Sequence, residues 1–200
     1  MWLNRDLVVG LVLGMLGAIF VFGRASAPVA ASQHDRDEAA PADNVELARL
    51  YEEDQGDRAP SGGQPIDWRV VGPRDRQRES RVKALYKSAT IRTGKDYYRS
   101  AMVLQHASEP EDYLLAHEFC MVALAKGEKS ARWLAAATED RYLMNLKLPQ
   151  RFGTQYRSDG PNQPMRLHEV APGVTDALRQ ELNVPTLTEA RRREAEMNGP

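Results

Sequence analysis

Of the four histidines in this 200-residue chain, His106 has the neighbours best suited to proton transfer. It follows Tyr98 and Met102 at two-turn and one-turn spacing. That places it in the last turn of a helix, where terminal carbonyls favour imidazolium. A histidine acting as general base needs a carboxylate to orient it, and Asp54 and Asp140 are the candidates. The ordinary alternative is a helix-end histidine that merely caps its own carbonyls. The single cysteine, Cys120, lies among Phe119, Met121 and Val122, an apolar setting that makes a thiol inert. His117-Glu118 lacks the second histidine of a zinc-protease helix, because Met121 stands there, and no metal site or cofactor is expected. Gly127-Glu128-Lys129-Ser130 has the wrong order for a phosphate loop and reads as a helix end. Gly153-Thr154 could turn backbone N–H groups toward an anion.

The elements that position these residues are helical. Val45, Leu47, Leu50 and Tyr51 lie near helical spacing behind the capping candidates Asp43 and Asn44. Residues 59–72 are rich in Pro and Gly and read as an irregular loop, after which Pro73 suits the first position of a helix. Val82, Leu85, Tyr86 and Ala89 form one apolar stripe there, and the charged residues 74–81 read as a solvated face. Thr93 with Asp96 forms a capping box. Ser108 with Glu111 suggests another, opening a helix that stops at Gly127 and is apolar almost all round between Tyr113 and Ala125. Ser130 caps a third helix, and Pro149 ends it. Short connections make these helices antiparallel neighbours. A long loop follows, with an extended piece at residues 155–157. Two short helices close the chain, over residues 175–182 and 188–197.

Composition limits the partners. The chain has 27 Lys and Arg against 28 Asp and Glu, a net charge of −1, so nucleic acid is not expected as a partner. Residues 7–22 are apolar or glycine without a charge, with Arg5 before them and Arg24 after. This has the form of an export signal or membrane anchor. A helix of that length rises about 24 Å, short of a hydrocarbon core of about 30 Å, with Trp2 as an interfacial anchor. Ala25-Ser26-Ala27 has the small-x-small form of a cleavage site, but Pro28 follows it. Both outcomes place the body in the cell envelope, anchored at the inner membrane or periplasmic. The expected organisation is a signal or anchor at 1–27, a flexible linker at 28–44, a helical domain at 45–157, and a loop with terminal helices at 158–200.

Five segments, DQGDR, DYYRSAMVLQHA, PEDYLLAHE, ARWLAAATEDRYL and PQRFGTQ, resemble in this order a family of uncharacterised bacterial domains. Its features are D-Q-x-x-R, Q-H, D-R and P-Q-x-F-G-T-Q. The helix pairs also resemble the style of Sel1-like and tetratricopeptide repeats, without a second full copy of the unit. The resemblance implies a shared site at Asp54, Gln55, Arg58, Gln105, His106, Asp140, Arg141, Gln150, Thr154 and Gln155. Asp140 and Arg141 are adjacent, so they project about 100° apart and serve different partners. Two readings follow. One is an all-α binding module of antiparallel helix pairs with a polar pocket for an unknown protein or small ligand. The other is a hydrolase-like enzyme with His106 as base, Asp140 or Asp54 orienting it, and Arg58 or Arg141 stabilising negative charge. Under both, residues 150–156 are expected to pack back beside Asp140, Arg141 and His106.

Overall fold

The computed structural model describes residues 40–59, 65–160 and 163–199. The apolar segment 7–22, the expected cleavage site at residues 25–27 and His34 lie outside these residues. Among the described residues the chain is mostly helical. The order is α1 (Val45–Arg58), α2 (Trp68–Lys87), α3 (Gly94–Leu104), α4 (Pro110–Ala125), α5 (Ala131–Asn145), β1 (Tyr156–Arg157), β2 (Arg166–Leu167), α6 (Asp176–Glu181) and α7 (Leu187–Met197). None of these helices is long and apolar enough to cross a membrane.

Capping chemistry sets where α1 and α3 begin, and it also joins them. The Asn44 side chain accepts from the N–H groups of Glu46 and Leu47, satisfying two orphan donors. Asp43 does not cap; it accepts from the Thr93 hydroxyl and pairs with Arg99. Thr93 and Asp96 form the expected capping box. Asp96 is fully buried and also accepts from the backbone N–H of Asn44 and Arg92, so the end of the linker is pinned to the start of α3.

Several expected boundaries move. The helix α2 begins at Trp68, capped by Asp67, and Pro73 lies inside it rather than at its first position. The buried Val71 anchors the turn before the proline, which forfeits a single i→i−4 bond there. Ser108 caps nothing: Glu109 is the N-cap of α4, and Pro110 opens that helix without a side-chain cap. Ser130 precedes α5 in a helical backbone conformation, so its hydroxyl is not turned to cap. The helix α5 ends at Asn145, with Lys147 in a left-handed conformation at φ 60°. Its reversal therefore comes before Pro149. Gly127, at φ 86°, closes α4 as expected.

The core draws Leu47 and Leu50 from α1, Val82 and Leu85 from α2, and Ala101 and Leu104 from α3. Phe119 and Cys120 join from α4 and Leu134 from α5. The helix α4 packs against both α3 and α5, but it is not buried all round, since Met121 is 53% exposed. Burial pushes the Cys120 thiol up to about 12. Thiol labelling of the native protein should therefore be far slower than that of the unfolded chain; equal rates would mean that α4 is misplaced.

After α5 the chain forms an antiparallel hairpin, Tyr156 opposite Leu167 and Arg157 opposite Arg166. The hairpin is the expected extended piece together with a partner strand. A second, smaller core of Ala136, Phe152 and Val184 ties the segment after α5 to α5 itself and to the turn between α6 and α7. Tyr156 donates its hydroxyl proton to the carbonyl of Ala190 on α7.

Candidate functional site

The polar residues singled out in the sequence separate into two clusters. The first is an ionic joint between α1 and α2. Asp54 and Arg58 are one helical turn apart, and Arg58 donates from Nη1 to Asp54 Oδ1 at 2.8 Å. Its Nη2 reaches Asp75 on α2 at 2.8 Å. Arg78 donates to Asp57 at 2.8 Å and to Asp75 at 2.6 Å, and lies 3.8 Å from Asp54. Arg74 donates to Asp57, and Arg81 grips Glu46 near the start of α1. Early residues of α1 thus meet late residues of α2, so the two helices are antiparallel and joined largely through charge.

Residues 74–81 are therefore not simply a solvated face. Arg78 is 4% exposed and shares the inward strip of α2 with Val71, Val82 and Leu85. Its helical spacing from those three was visible in the sequence and was obscured by the surrounding run of charge. Burial lowers the Arg78 pKa, but hydrogen bonds to Asp75 and Asp57 outweigh it and hold it above the usual value. Burial likewise raises Asp57, and its bonds from Arg78 and Arg74 outweigh that to leave it below the carboxylate range.

His106 joins this cluster. It lies just past the end of α3, with its Nδ1 3.0 Å from Asp54 Oδ1. Asp54, not Asp140, is its carboxylate. Burial is the largest influence on the imidazole and lowers its pKa. The Asp54 contact raises it, the charges of Arg58 and Arg141 lower it, and the net is below the ordinary 6.5. The ring is therefore neutral at pH 7. Because Asp54 accepts, Nδ1 carries the proton and Nε2 keeps its lone pair. As pH falls below 6.5, the unfolded chain takes up this proton before the folded one does, so stability should decline through that window. In the His106→Gln variant this part of the decline should vanish from a urea-unfolding series; an unchanged pH profile would contradict the assignment.

The second cluster is centred on Asp140, fully buried on α5. Its Oδ1 accepts from the backbone N–H of Arg151 at 2.7 Å and of Phe152 at 2.9 Å. Its Oδ2 accepts from the Thr154 N–H at 3.0 Å and hydroxyl at 2.7 Å. The loop does present N–H groups to an anion, as the Gly153-Thr154 pair suggested, and that anion is Asp140 itself. Gly153 makes the turn at φ 83°, open to glycine at no steric cost. Gln150, fully buried, donates to the carbonyls of Gln155 and His168 and accepts from the Gln155 N–H. The Gln155 side chain donates to Thr154 Oγ1. Arg179, unnoticed in the sequence, ties the carbonyls of Phe152 and Arg151 to α6. Asp140 is thus a clamp on the loop and does not orient His106.

The remaining residues take lesser places. The Gln55 amide donates to Asp54 Oδ2 at 2.8 Å. Gln105 is buried at the end of α3 and its amide meets the Met102 sulfur. Arg141 makes no bond to residues 150–156. Burial lowers its pKa, with the Tyr113 and Asp140 charges opposing that and Arg58 adding to it, and its own charge acts on His106. The divergence of Asp140 and Arg141 is as their adjacency demanded. His117 and His168 meet the carbonyls of Ala135 and Leu148. No group of three His, Cys, Asp or Glu side chains suited to a metal ion occurs among the described residues.

The chain matches no protein-family model, no curated protein and no solved structure. Besides the two clusters, a groove of about 710 Å³ opens between α1 and α2. Leu50, Glu46, Glu53 and Asp57 line it with Arg49, Arg74, Arg78 and Arg81.

Proposed function

We propose that the chain is an exported helical binding module of the cell envelope, tethered to the membrane through residues 7–22 when that segment is retained. Its recognition face is the α1–α2 groove, and the motif residues serve as the joints that hold this face and the C-terminal loop in place. The observation that supports this is the groove itself. Arg49, Arg74 and Arg81 line it with half or more of each side chain exposed. Exposed ion pairs are worth about 0–1 kcal/mol, so these guanidiniums can exchange a protein carboxylate for a ligand carboxylate or phosphate at small cost. Arg78 beneath them is buried and fixed, which keeps the groove from collapsing. The test is a ligand screen by thermal shift on the full chain in detergent. Ligands that raise Tm in the wild type should fail to do so in the Arg74→Ala, Arg81→Ala double variant. Equal shifts in both proteins would remove the groove from the reading. Fractionation of expressing cells tests the location, and a cytosolic, unprocessed product would contradict it.

One observation favours an enzyme as second reading. Asp54 holds His106 with Nε2 left as a free base, and Arg141 lies near to meet negative charge. Hydrolysis of model esters or phosphoesters by the wild type, abolished in His106→Gln, would favour it over binding alone.

A further inference from the structure

Both acidic residues of α2 are turned toward the protein. Asp75, 13% exposed, pairs with Arg58 and Arg78. Glu79, 19% exposed, pairs with Lys83, which also holds Asp112 on α4. The outward face of the helix is left without a carboxylate. Arg69, Pro73, Arg76, Ser80, Ala84 and Lys87 recur there at spacings of three and four, the spacing of one helical face, and all are exposed. Arg74 and Arg81 flank this face on the side of α1. Arg69 meets only its neighbour Asp67, at the surface, and Arg76 and Lys87 are in no ion pair with a described residue. The whole chain has a net charge of −1, so basic residues are gathered on this face rather than spread.

The face also has a shape. A shallow recess of about 620 Å³ lies on it, lined by Pro73, Arg76, Gln77, Ser80, Arg81 and Ala84. Arg81 spends Nε and Nη2 on Glu46 and keeps Nη1 for another acceptor. Exposed apolar side chains stand at the ends of the helix, Trp68 and Val70 at its start and Tyr86 near its finish. Trp68 is 61% exposed, an unusual setting for so large a side chain.

We propose that the outward face of α2 docks on an anionic lipid bilayer, with phospholipid headgroups against Arg69, Arg76, Arg81 and Lys87 and with Trp68 in the interfacial layer. Basic side chains with an aromatic at the edge suit a helix to lie flat in that layer. Each basic side chain near an anionic surface strengthens attachment about fivefold. The choice of a membrane over a soluble polyanion rests on the tether of the proposed function and not on ligand binding in the α1–α2 groove. With residues 7–22 in a bilayer, the 22 residues from 23 to 44 reach about 75 Å at full extension, so the body cannot leave the surface. They join the body at α1, beside the Glu46 that Arg81 grips at the flank of this face.

The test places the full chain in phosphatidylcholine vesicles with or without phosphatidylglycerol. An environment-sensitive fluorophore is attached through Ser80→Cys, and the buried Cys120 does not compete for it. With phosphatidylglycerol present, its emission should shift to the blue and its quenching by acrylamide should fall. High salt should reverse both. The triple variant Arg69→Gln, Arg76→Gln, Lys87→Gln should weaken docking about a hundredfold. A fluorophore at Glu118→Cys, on the exposed side of α4, should not respond. The same emission in both kinds of vesicle, or an equal response in the triple variant, would overturn the proposal. So would an equal response to soluble DNA or polyglutamate, which would assign the face to a soluble polyanion. The salt reversal is read with every basic residue in place, so a poorly folded triple variant does not leave the question open. Flotation keeps the two readings apart. Flotation with phosphatidylcholine alone reports the tether, and an unresponsive fluorophore in anionic vesicles then counts against docking only. A chain that floats with anionic vesicles alone, and not as the triple variant, supports docking and contradicts the tether.

Discussion

Replacing Asp140 with alanine should destabilise the protein by about 3–5 kcal/mol, since hydrogen bonds to a charged acceptor contribute about 1.5–3 kcal/mol each and unpaired buried donors cost about as much. The carboxylate accepts four hydrogen bonds, three of them from backbone N–H groups at residues 151, 152 and 154. None of those three N–H groups makes a second hydrogen bond, and Phe152 sits in the small core against Ala136 and Val184. The loss should therefore spread from the loop to the packing of α6 and α7. Asp140→Asn should lie between alanine and the wild type, because an amide offers one acceptor where the carboxylate offers two. Equilibrium urea unfolding measures both. A cost under 1 kcal/mol for alanine would mean that the loop is held by Arg179 and Gln150 without it.

The second large effect is expected at Arg78. Arg78→Met keeps the length and apolar stem of the side chain but removes the charge that joins Asp57 and Asp75. Breaking a buried ion pair by removing one partner costs about 3–5 kcal/mol, because the other charge stays buried. Both carboxylates keep one guanidinium, Arg74 for Asp57 and Arg58 for Asp75, which argues for the lower part of that range. The pH dependence has a definite sign. Asp57 has a folded pKa below its ordinary 3.8, through Arg78 and Arg74 against the opposing effect of burial. Its contribution is therefore fully present above that value and is lost as pH falls through the lower folded one. Between wild type and Arg78→Met the difference in stability should be constant near neutral pH and shrink below pH 3.8. A difference that grows in acid would contradict the assignment.

The sequence showed the helices more clearly than the site, and the reasons are physical. Caps and apolar periodicity are local, so the Thr93–Asp96 box and the Gly127 stop could be read directly. Where a local signal failed, a longer-range contact had decided the matter. Ser108 lost its capping role to a helix opened by Pro110, and the start of α2 was fixed by Asp67 and the burial of Val71 in spite of Pro73. Charge is the harder case. Arg78 sits in a run that reads as solvated, and only its spacing from Val71, Val82 and Leu85 shows that it faces inward. Asp140 and Asp54 are equally plausible partners for His106 along the chain. Which carboxylate is free to meet it depends on where the segment after α5 places its N–H groups.

Hydrogen exchange across residues 150–156 tests the division of the motif residues into two clusters most directly. The wild type, Asp140→Asn and Arg141→Met would be compared at neutral pH. Asp140→Asn should accelerate exchange at residues 151, 152 and 154, whose N–H groups the carboxylate holds. Arg141→Met should leave them as slow as in the wild type and alter only the neighbourhood of His106 and Tyr113. Faster exchange of the loop in Arg141→Met, or an unchanged loop in Asp140→Asn, would contradict the separation of the loop clamp from the His106 cluster.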